Sequence, residues 1–490
     1  MTAPGLASRL DLVLAPDSRR VIIRPFVPGE DDDLVRARIS ALVERVVRLD
    51  DEETGRLLQQ TLLHFGGRHH DLEMTFLHHY DLVRPRIDRH AELSPTARLL
   101  VGAYCSQEYA VEAAALCNPS MVPHPDQSGL SAGQLRVAIS LRQIGEGHLS
   151  SIGFATGVLD PAHGRLDVAD RRGPLLAGRR AGTRHRRDLF ASGLEEDGWN
   201  DKMSAAVLAS LPEVFDDEDF DRALSHLPAN LLADEEEAVA VDRLRWAASA
   251  SYAVTFPEEV PLSQRVLWPL TATESNGMED ARFVRFVADD GEVAYHATYT
   301  TYDGRHISVR MLSTADLRNF EVTPVRGPAA RNKGMALFPR TVGGRHFALC
   351  RSDGETIGLS ALDRQNRWQQ PVPLHVPRLG WELTQVGNCG SPLETEAGWL
   401  VLTHGVGPMR RYAIGALLLD LHRPERVIAQ LPGVLLAPQD EESEGYVPNV
   451  VYSCGGVLHA GTLWLPYGAS DTRVGFATVD VGTLLAAMGQ

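Results

Sequence analysis

Residues Gly277 to Gly304 read GMEDARFVRFVADDGEVAYHATYTTYDG. The polar pair Glu279-Asp280 opens the stretch and an apolar run follows it. Asp289-Asp290-Gly291 then supplies turn chemistry, Val293–Thr300 is a second strand-like run, and Asp303-Gly304 marks the next turn. The same texture begins near Arg98. Short apolar segments such as Arg136–Leu141, Phe347–Arg351, Trp399–Thr403 and Leu463–Tyr467 alternate with Gly, Asp and Asn turns. Polar clusters at Asn118, Glu279-Asp280, Asn332-Lys333, Asn388 to Glu394, and Asn449 each open such a unit. The last four openings lie roughly 50–60 residues apart, the length of a four-stranded propeller blade. Five openings predict five blades. The expected fold is therefore mainly β: a five-bladed β-propeller over 98–490, with a helical N-terminal segment over 1–97 and a helical insertion over about 188–255.

Helical periodicity supports the two helical segments. Leu34, Ile39, Leu42, Val43, Val46 and Val47 recur at spacings of three, four and seven, and Leu57, Leu58, Leu62, Leu63 and Phe65 continue the pattern up to Gly66-Gly67. His64, His69, His70, His78, His79 and His90 lie close by, but adjacent pairs point to different faces of a helix, so no metal site is expected. The acidic runs Asp216–Asp219 and Asp234–Glu237 read as solvated helix starts, where carboxylates are favourable.

Composition narrows the function. With 44% hydrophobic and 23% charged residues the 490-residue chain is an ordinary globular one, and a net charge of −16 argues against nucleic acid as a partner. The exception is the run Arg171, Arg172, Arg179, Arg180, Arg184, Arg186 and Arg187, read as a solvated loop. The five cysteines are widely spaced with no CxxC pair. No basic-then-apolar leader and no apolar run of about 18 residues is present, so the expectations are a reducing cytoplasm and no membrane partner. No Gly-rich phosphate loop, zinc signature or nucleophile elbow stands in a convincing context, so neither an organic cofactor nor a metal is expected. The helical segments leave room for a homo-oligomer assembled through them.

In a propeller the innermost strands line one funnel, so polar groups at equivalent places converge. These are Asn118 and Arg142; Glu279, Asp280 and Arg282; Asn332, Lys333, Arg340 and Arg351; Glu394 and His404; Tyr467 and Asp471. Carboxylates, amides and cations with few apolar anchors suit an oligosaccharide, and paired carboxylates suit glycosidic bond cleavage.

The stretches CNPSMVPHP from Cys117, SLRQIGEGHLSSIGFATG from Ser140, GMEDARFVRF from Gly277, RNKGMALFPRTVGGRHFALCR from Arg331, GWLVLTHGV from Gly398, GALLLDL from Gly415 and LPYGASDTRVGFATVD from Leu465 together resemble glycoside hydrolase family 130. That family holds β-mannoside phosphorylases and β-1,2-mannosidases on a five-bladed propeller. The resemblance runs from Ala103 to Val481. It implies that Asp280 is the acid, within a Glu-Asp-Pro-Arg motif where Ala281 replaces the proline, and that reaction inverts configuration with the proton relayed through a sugar hydroxyl. It implies further that Asn118, Arg142 and Asp471 contact the mannosyl unit, with Glu279, Arg282 and Tyr467 beside them. Lys333, Arg351 and His404 match phosphate-binding positions. Each residue also has a plainer role open to it: Asp280 as a turn carboxylate, Asn118 as a turn former before Pro119, Arg142 as a surface strand residue, and Asp471 as a cap.

Counting back from His404, Glu394 occupies the place of a further expected lysine. Two like charges about 4 Å apart repel by several kcal/mol, so a carboxylate there weakens phosphate binding. It could instead activate water, as an inverting hydrolase requires of a second carboxylate roughly 6.5–9.5 Å from the acid. The main expectation is thus an inverting glycosidase that hydrolyses β-mannosidic, chiefly β-1,2, linkages with Asp280 and Glu394 as catalytic pair. The alternatives are a phosphorylase that uses inorganic phosphate as co-substrate and releases α-mannose 1-phosphate, and a non-catalytic sugar-binding propeller. Glu394 could instead pair with Arg410 or Arg411 and be purely structural.

Overall fold

The computed structural model describes residues 5–27, 31–87, 93–227, 235–304 and 306–490, with backbone alone for 235–238. His90 and the side chains of the Asp234–Glu237 run lie outside the described residues.

The chain is mainly β. Among the described residues five sheets have four or more strands. The first is built on Ala115–Pro123, Leu135–Ile144 and Ser150–Asp160. The second runs from Met278–Val287 through Val293–Tyr302, Ile307–Thr314 and Asn319–Pro324. The third contains Ala336–Leu337, Phe347–Cys350, Ile357–Ala361 and Val372–His375. The fourth contains Gln385–Asn388, Gly398–Val406, Tyr412–Leu419 and Val427–Gln430. The fifth contains Val451–Tyr452, Thr462–Ala469 and Arg473–Asp480, with Ala7–Leu14 as its outer strand.

Period-two burial explains how these sheets stack. The strand Gly398–Val406 is buried on both faces. Trp399 and Val401 pack with Phe338, Leu349 and Leu359 of the third sheet, while Leu400 and Leu402 pack with Val451, Leu463 and Leu465 of the fifth. Equivalent apolar layers join the first sheet to the second through Ile152, Phe154, Phe283 and Tyr295, and the second to the third through Val284, Val309 and Ala348. A fifth layer, with Ile139 and Leu141 against Trp464 and Phe476, joins the last sheet to the first.

The segment 1–97, expected to be helical, also holds two strands. Ala7–Leu14 pairs antiparallel with Arg473–Asp480, and Val21–Pro25 pairs with Ser106–Ala110. Leu10, Leu12 and Leu14 point into the layer between the fifth and first sheets. Arg9 lies on the other face and reaches Glu442 through two contacts of 3.1 and 2.7 Å. Glu442 is buried, so Arg9→Ala removes the cationic partner of a buried carboxylate, leaving it the Tyr467 hydroxyl and the Gln439 amide. We expect a loss of about 3 kcal/mol in urea denaturation, with the fold retained.

Helices α1 (Asp32–Val47), α2 (Asp51–Phe65), α3 (Leu72–Val83) and α4 (Pro95–Tyr104) follow, their starts capped by Asp31, Asp50, Asp71 and Ser94. The buried face of α1 is Val35, Ile39, Val43 and Val46; Leu34 and Val47 are exposed, so the face sits to one side of the expected stripe. Leu63 is likewise exposed. Three of the neighbouring histidines make hydrogen bonds: His69 with Glu108, His79 with Ser106 and His70 with the Pro174 carbonyl. The insertion forms α5 (Arg187–Glu196), α6 (Lys202–Ser210), α7 (Asp217–Ser225) and α8 (Glu235–Ser249), and Asp216 and Asp219 make a capping box at α7. No described helix is long and apolar enough to cross a membrane.

Candidate active site

Two irregular residues in two innermost strands create the centre of the site. The pairing of Ala115–Pro123 with its neighbour shifts register between Cys117 and Ser120, and that of Met278–Val287 shifts between Glu279 and Arg282. Asn118 and Asp280 occupy these bulges with φ of 47° and 55°. Short Asx side chains tolerate this left-handed region better than most, and a bulge re-aims the side chain it carries. The outcome is a direct contact: Asn118 Nδ2 donates to Asp280 Oδ1 at 2.5 Å. Asn332, Asn449 and Asp471 also have positive φ, at 61°, 64° and 47°. Several of the polar residues that open the repeat units thus occupy backbone positions that suit Asx residues.

Cations surround the acidic pair. Arg142 donates to Glu279 Oε1 at 2.7 Å and to Asp280 Oδ1 at 3.4 Å. Lys333 Nζ contacts Glu279 Oε2. Arg282, 1% exposed, donates to the Asp280 carbonyl at 2.9 Å and to the Tyr452 hydroxyl at 2.6 Å. Among the described residues Asp280 Oδ2 makes no hydrogen bond, Arg282 Nη2 lying 3.7 Å away, beyond hydrogen-bond range. That oxygen is the one left to exchange a proton. Burial pushes the Asp280 carboxyl up, but Arg142, Arg282, Lys333 and the Asn118 hydrogen bond outweigh it and hold the group below the usual carboxylate range.

Asp471 behaves oppositely. Burial pushes it up to about 6, with the charges of Asp280 and Glu279 adding to the rise and Arg142 opposing it. Arg351 Nη1 and His404 Nε2 are 3.1 Å apart. Burial, then Arg351 and Arg282, hold the His404 imidazole well below its ordinary range, so it is neutral and its Nε2 accepts from Arg351. A Cβ at Gly387 would lie 2.4 Å from His404 Cε1. Gly387→Ala is therefore expected to displace His404 and, with it, Arg351. Asn118 Oδ1, Asn388 Oδ1 and the Nε atoms of Arg142, Arg282 and Arg351 are buried without a hydrogen-bond partner, a concentration of unmet polar groups expected where a polar ligand binds.

The structure brings Asn118, Arg142, Glu279, Asp280, Arg282 and Lys333 into one cluster, with Asp471 within electrostatic range and Arg351 and His404 joined to it by way of Tyr452. It does not bring Glu394 there. Glu394 lies on Leu393–Thr395, a strand that folds back on Gly398–Val406 and sets Glu394 opposite Trp399. His404 is five residues farther along that strand, roughly 16 Å away. Glu394 is 41% exposed and makes a two-pronged pair with Arg340, at 2.9 and 2.5 Å, while Arg340 lies over the Trp399 ring. Counting along the chain fails because the chain reverses in this hairpin. The carboxylate expected to activate water is a surface ion-pair partner. Since such pairs contribute about 1 kcal/mol or less, Glu394→Gln is expected to leave kcat and KM within about twofold of the parent enzyme.

Tyr467 also departs from expectation. Residues 463, 465, 467 and 469 all face the layer between the fourth and fifth sheets. Tyr467 is 3% exposed and its hydroxyl donates to Glu442 at 2.7 Å. The tyrosine that enters the site is Tyr452, whose ring meets His404 edge-on at 4.8 Å. The signal for it was its place three residues after Asn449, at the opening of the fifth unit.

The chain is similar in sequence to known proteins. A family model described as beta-1,4-mannooligosaccharide phosphorylase, that of glycoside hydrolase family 130, matches residues 246–490, half of the chain. A 1,2-beta-oligomannan phosphorylase of Thermoanaerobacter sp. (strain X514) is 32% identical over 45% of this chain and 74% of its own length. A beta-1,2-mannobiose phosphorylase of Listeria innocua is 29% identical over 45% of this chain and 62% of its own. A solved structure of a Listeria innocua beta-1,2-mannobiose phosphorylase, in complex with beta-1,2-mannobiose, aligns with a TM-score of 0.46 and 19% identity over 77% of this chain and 92% of that one. The chain belongs to glycoside hydrolase family 130, a family of carbohydrate-active enzymes.

Proposed function

We propose that the chain is an inverting β-mannoside phosphorylase that uses inorganic phosphate to release α-mannose 1-phosphate, with β-1,2-linked mannooligosaccharides as the preferred substrates. The observation that carries this reading is the charge of the site. Arg142, Arg282, Lys333 and Arg351 face Glu279, Asp280 and Asp471, with His404 neutral, so cations are in excess where a dianion is to bind. The withdrawal of Glu394 removes the carboxylate that favoured hydrolysis. The names of the Thermoanaerobacter and Listeria relatives support both phosphorolysis and the β-1,2 linkage.

In this mechanism the mannosyl unit lies against Asn118, Arg142 and Asp471. A phosphate oxygen, held by Arg351 and Lys333, attacks the anomeric carbon opposite the leaving oxygen. The carbon–oxygen glycosidic bond breaks, and the leaving oxygen takes the proton that Asp280 supplies through the sugar. Asp280 must carry that proton in the loaded enzyme. Phosphate supplies negative charge beside the cations that hold Asp280 ionised, so its arrival raises the affinity of the carboxylate for a proton. His404 acts by holding Arg351.

The five sheets and their five apolar layers, including the one between the fifth and first, support a five-bladed propeller. Its unit is residues 98–490 together with the strand Ala7–Leu14. The five cysteines are free and buried, which supports a reducing, cytoplasmic setting.

A second reading, hydrolysis, rests on Asp471, a buried carboxylate raised to about 6 beside Asp280 that could serve as a base. The reverse reaction separates the two. With α-mannose 1-phosphate and mannose, a phosphorylase makes a β-mannoside and releases phosphate stoichiometrically; a hydrolase makes none. Asp471 also sets a pH dependence. Its ionised form is needed to accept a sugar hydroxyl, so kcat/KM for the mannoside should climb as pH rises to about 6 and level off above it. Asp471→Asn should lower kcat/KM and abolish that limb of the profile.

A further inference from the structure

The arginine run Arg171–Arg187 takes no part in the site just described, yet its distal half borders a cavity of about 700 Å³. The insertion forms one wall, from Gly182 to Ser192 and around Ser251. The outer parts of the second and third sheets form the others. Phe286 lies on this cavity, six residues along its strand from Asp280, so the two places are roughly 20 Å apart.

The lining combines three kinds of group. Phe190, Phe286, Phe347 and Trp368 present aromatic surface. Arg184, Arg186, Arg326 and Arg367 supply positive charge, and among the described lining residues the one carboxylate is Glu321. Arg186 is already held by Asp188, just outside the lining, in a two-pronged pair at 3.1 and 2.5 Å. Three imidazoles, His185, His296 and His346, complete the set. Burial pushes His185 and His296 below their ordinary range, leaving neutral rings.

Two of these groups are unmet. His185 is 7% exposed, and its Nε2 has no hydrogen-bond partner, the nearest Asp217 oxygen being 3.7 Å away. Arg184 is exposed and has no ion-pair or hydrogen-bond partner among the described residues. Among the described residues, Arg326 and Arg367 reach the carboxylates of Asp197 at 3.3 Å and Glu196 at 3.7 Å, the cap and last residue of α5, and Arg326 also donates to the Gly193 carbonyl.

We propose that this cavity is a second binding site, for an anionic small molecule with a planar body, of the nucleoside phosphate class. The volume falls within the few hundred to about 1,000 Å³ usual for small-molecule sites. Aromatic walls take a planar ring, and guanidinium groups take phosphate in two-pronged fashion. A neutral oligosaccharide has no use for the unpaired charge of Arg184. Because the cavity is walled by both the insertion and the sheets, the ligand's phosphate replaces the carboxylates of Asp197 and Glu196 on Arg326 and Arg367 and ties Arg184 to the catalytic body.

The test is calorimetric titration of the full chain with ADP, adenosine and inorganic phosphate. ADP is expected to bind one per chain with Kd below about 1 mM, and adenosine at least about tenfold more weakly. Arg184→Glu should weaken ADP by about tenfold or more while mannoside turnover and Tm stay at the parent values, since Arg184 is exposed and remote from Asp280. No saturable ADP binding overturns the proposal. So does ADP binding that survives Arg184→Glu but disappears with excess inorganic phosphate, because that places the nucleotide on the cations of the catalytic site.

Discussion

Asp280→Asn is expected to lower kcat by about 10²–10⁴-fold while KM for the mannoside changes little. The substitution keeps the size of the side chain and its contacts with Asn118 and Arg282, but an amide cannot deliver a proton. Asp280 sits at a bulge with φ of 55°, which asparagine tolerates as readily as aspartate, so the backbone is not the cause of the loss. An unchanged Tm would confirm that the fold survives. Steady-state kinetics on β-1,2-mannobiose at saturating phosphate reads the effect. A kcat within tenfold of the parent would remove Asp280 from its role as acid.

The second large effect is on phosphate. Arg351→Ala removes a half-buried guanidinium whose Nη1 is 3.1 Å from His404 and whose buried Nε has no partner among the described residues. A charge-assisted hydrogen bond contributes about 1.5–3 kcal/mol, so KM for phosphate should rise by about 10- to 100-fold. KM for the mannoside should stay near its parent value, because Arg351 touches none of Asn118, Arg142 or Asp471 among the described contacts. Lys333→Ala should act in the same direction with a second consequence: it frees Glu279, whose remaining cation is Arg142. Gly387→Ala, which displaces His404, should reproduce part of the Arg351 phenotype without removing a charge. Equal rises in both KM values for Arg351→Ala would contradict a dedicated phosphate site.

Much of this site was legible in the sequence, for a physical reason. Asn118, Asp280 and Asn332 are polar residues at the heads of apolar strands, and positive φ there favours Asx side chains. Arg142, Lys333 and Arg351 lie on or beside strands that reach the same end of the stack, so repeat position alone groups them. What failed was distance within a unit. Glu394 lies in a hairpin, where chain separation and spatial separation part company. Strand parity decides Tyr467: positions 463, 465 and 469 are apolar, and a residue in phase with them faces the same layer.

The outer strand Ala7–Leu14 was missed for a similar reason. Leu10, Leu12 and Leu14 repeat every second residue, a strand signature, within a segment dominated by helical periodicity farther on. No local signal tells which distant strand such an edge will join. The cavity beneath the insertion was illegible for the same cause, because its walls come from three separate parts of the chain.

The most direct measurement is the product of β-1,2-mannobiose cleavage with and without inorganic phosphate. The cation excess around Asp280 and the displacement of Glu394 predict α-mannose 1-phosphate and mannose in equal amounts when phosphate is present, and negligible cleavage when it is absent. Free mannose as the sole product, formed at the same rate in both conditions, would contradict phosphorolysis and make Asp471 the next residue to replace.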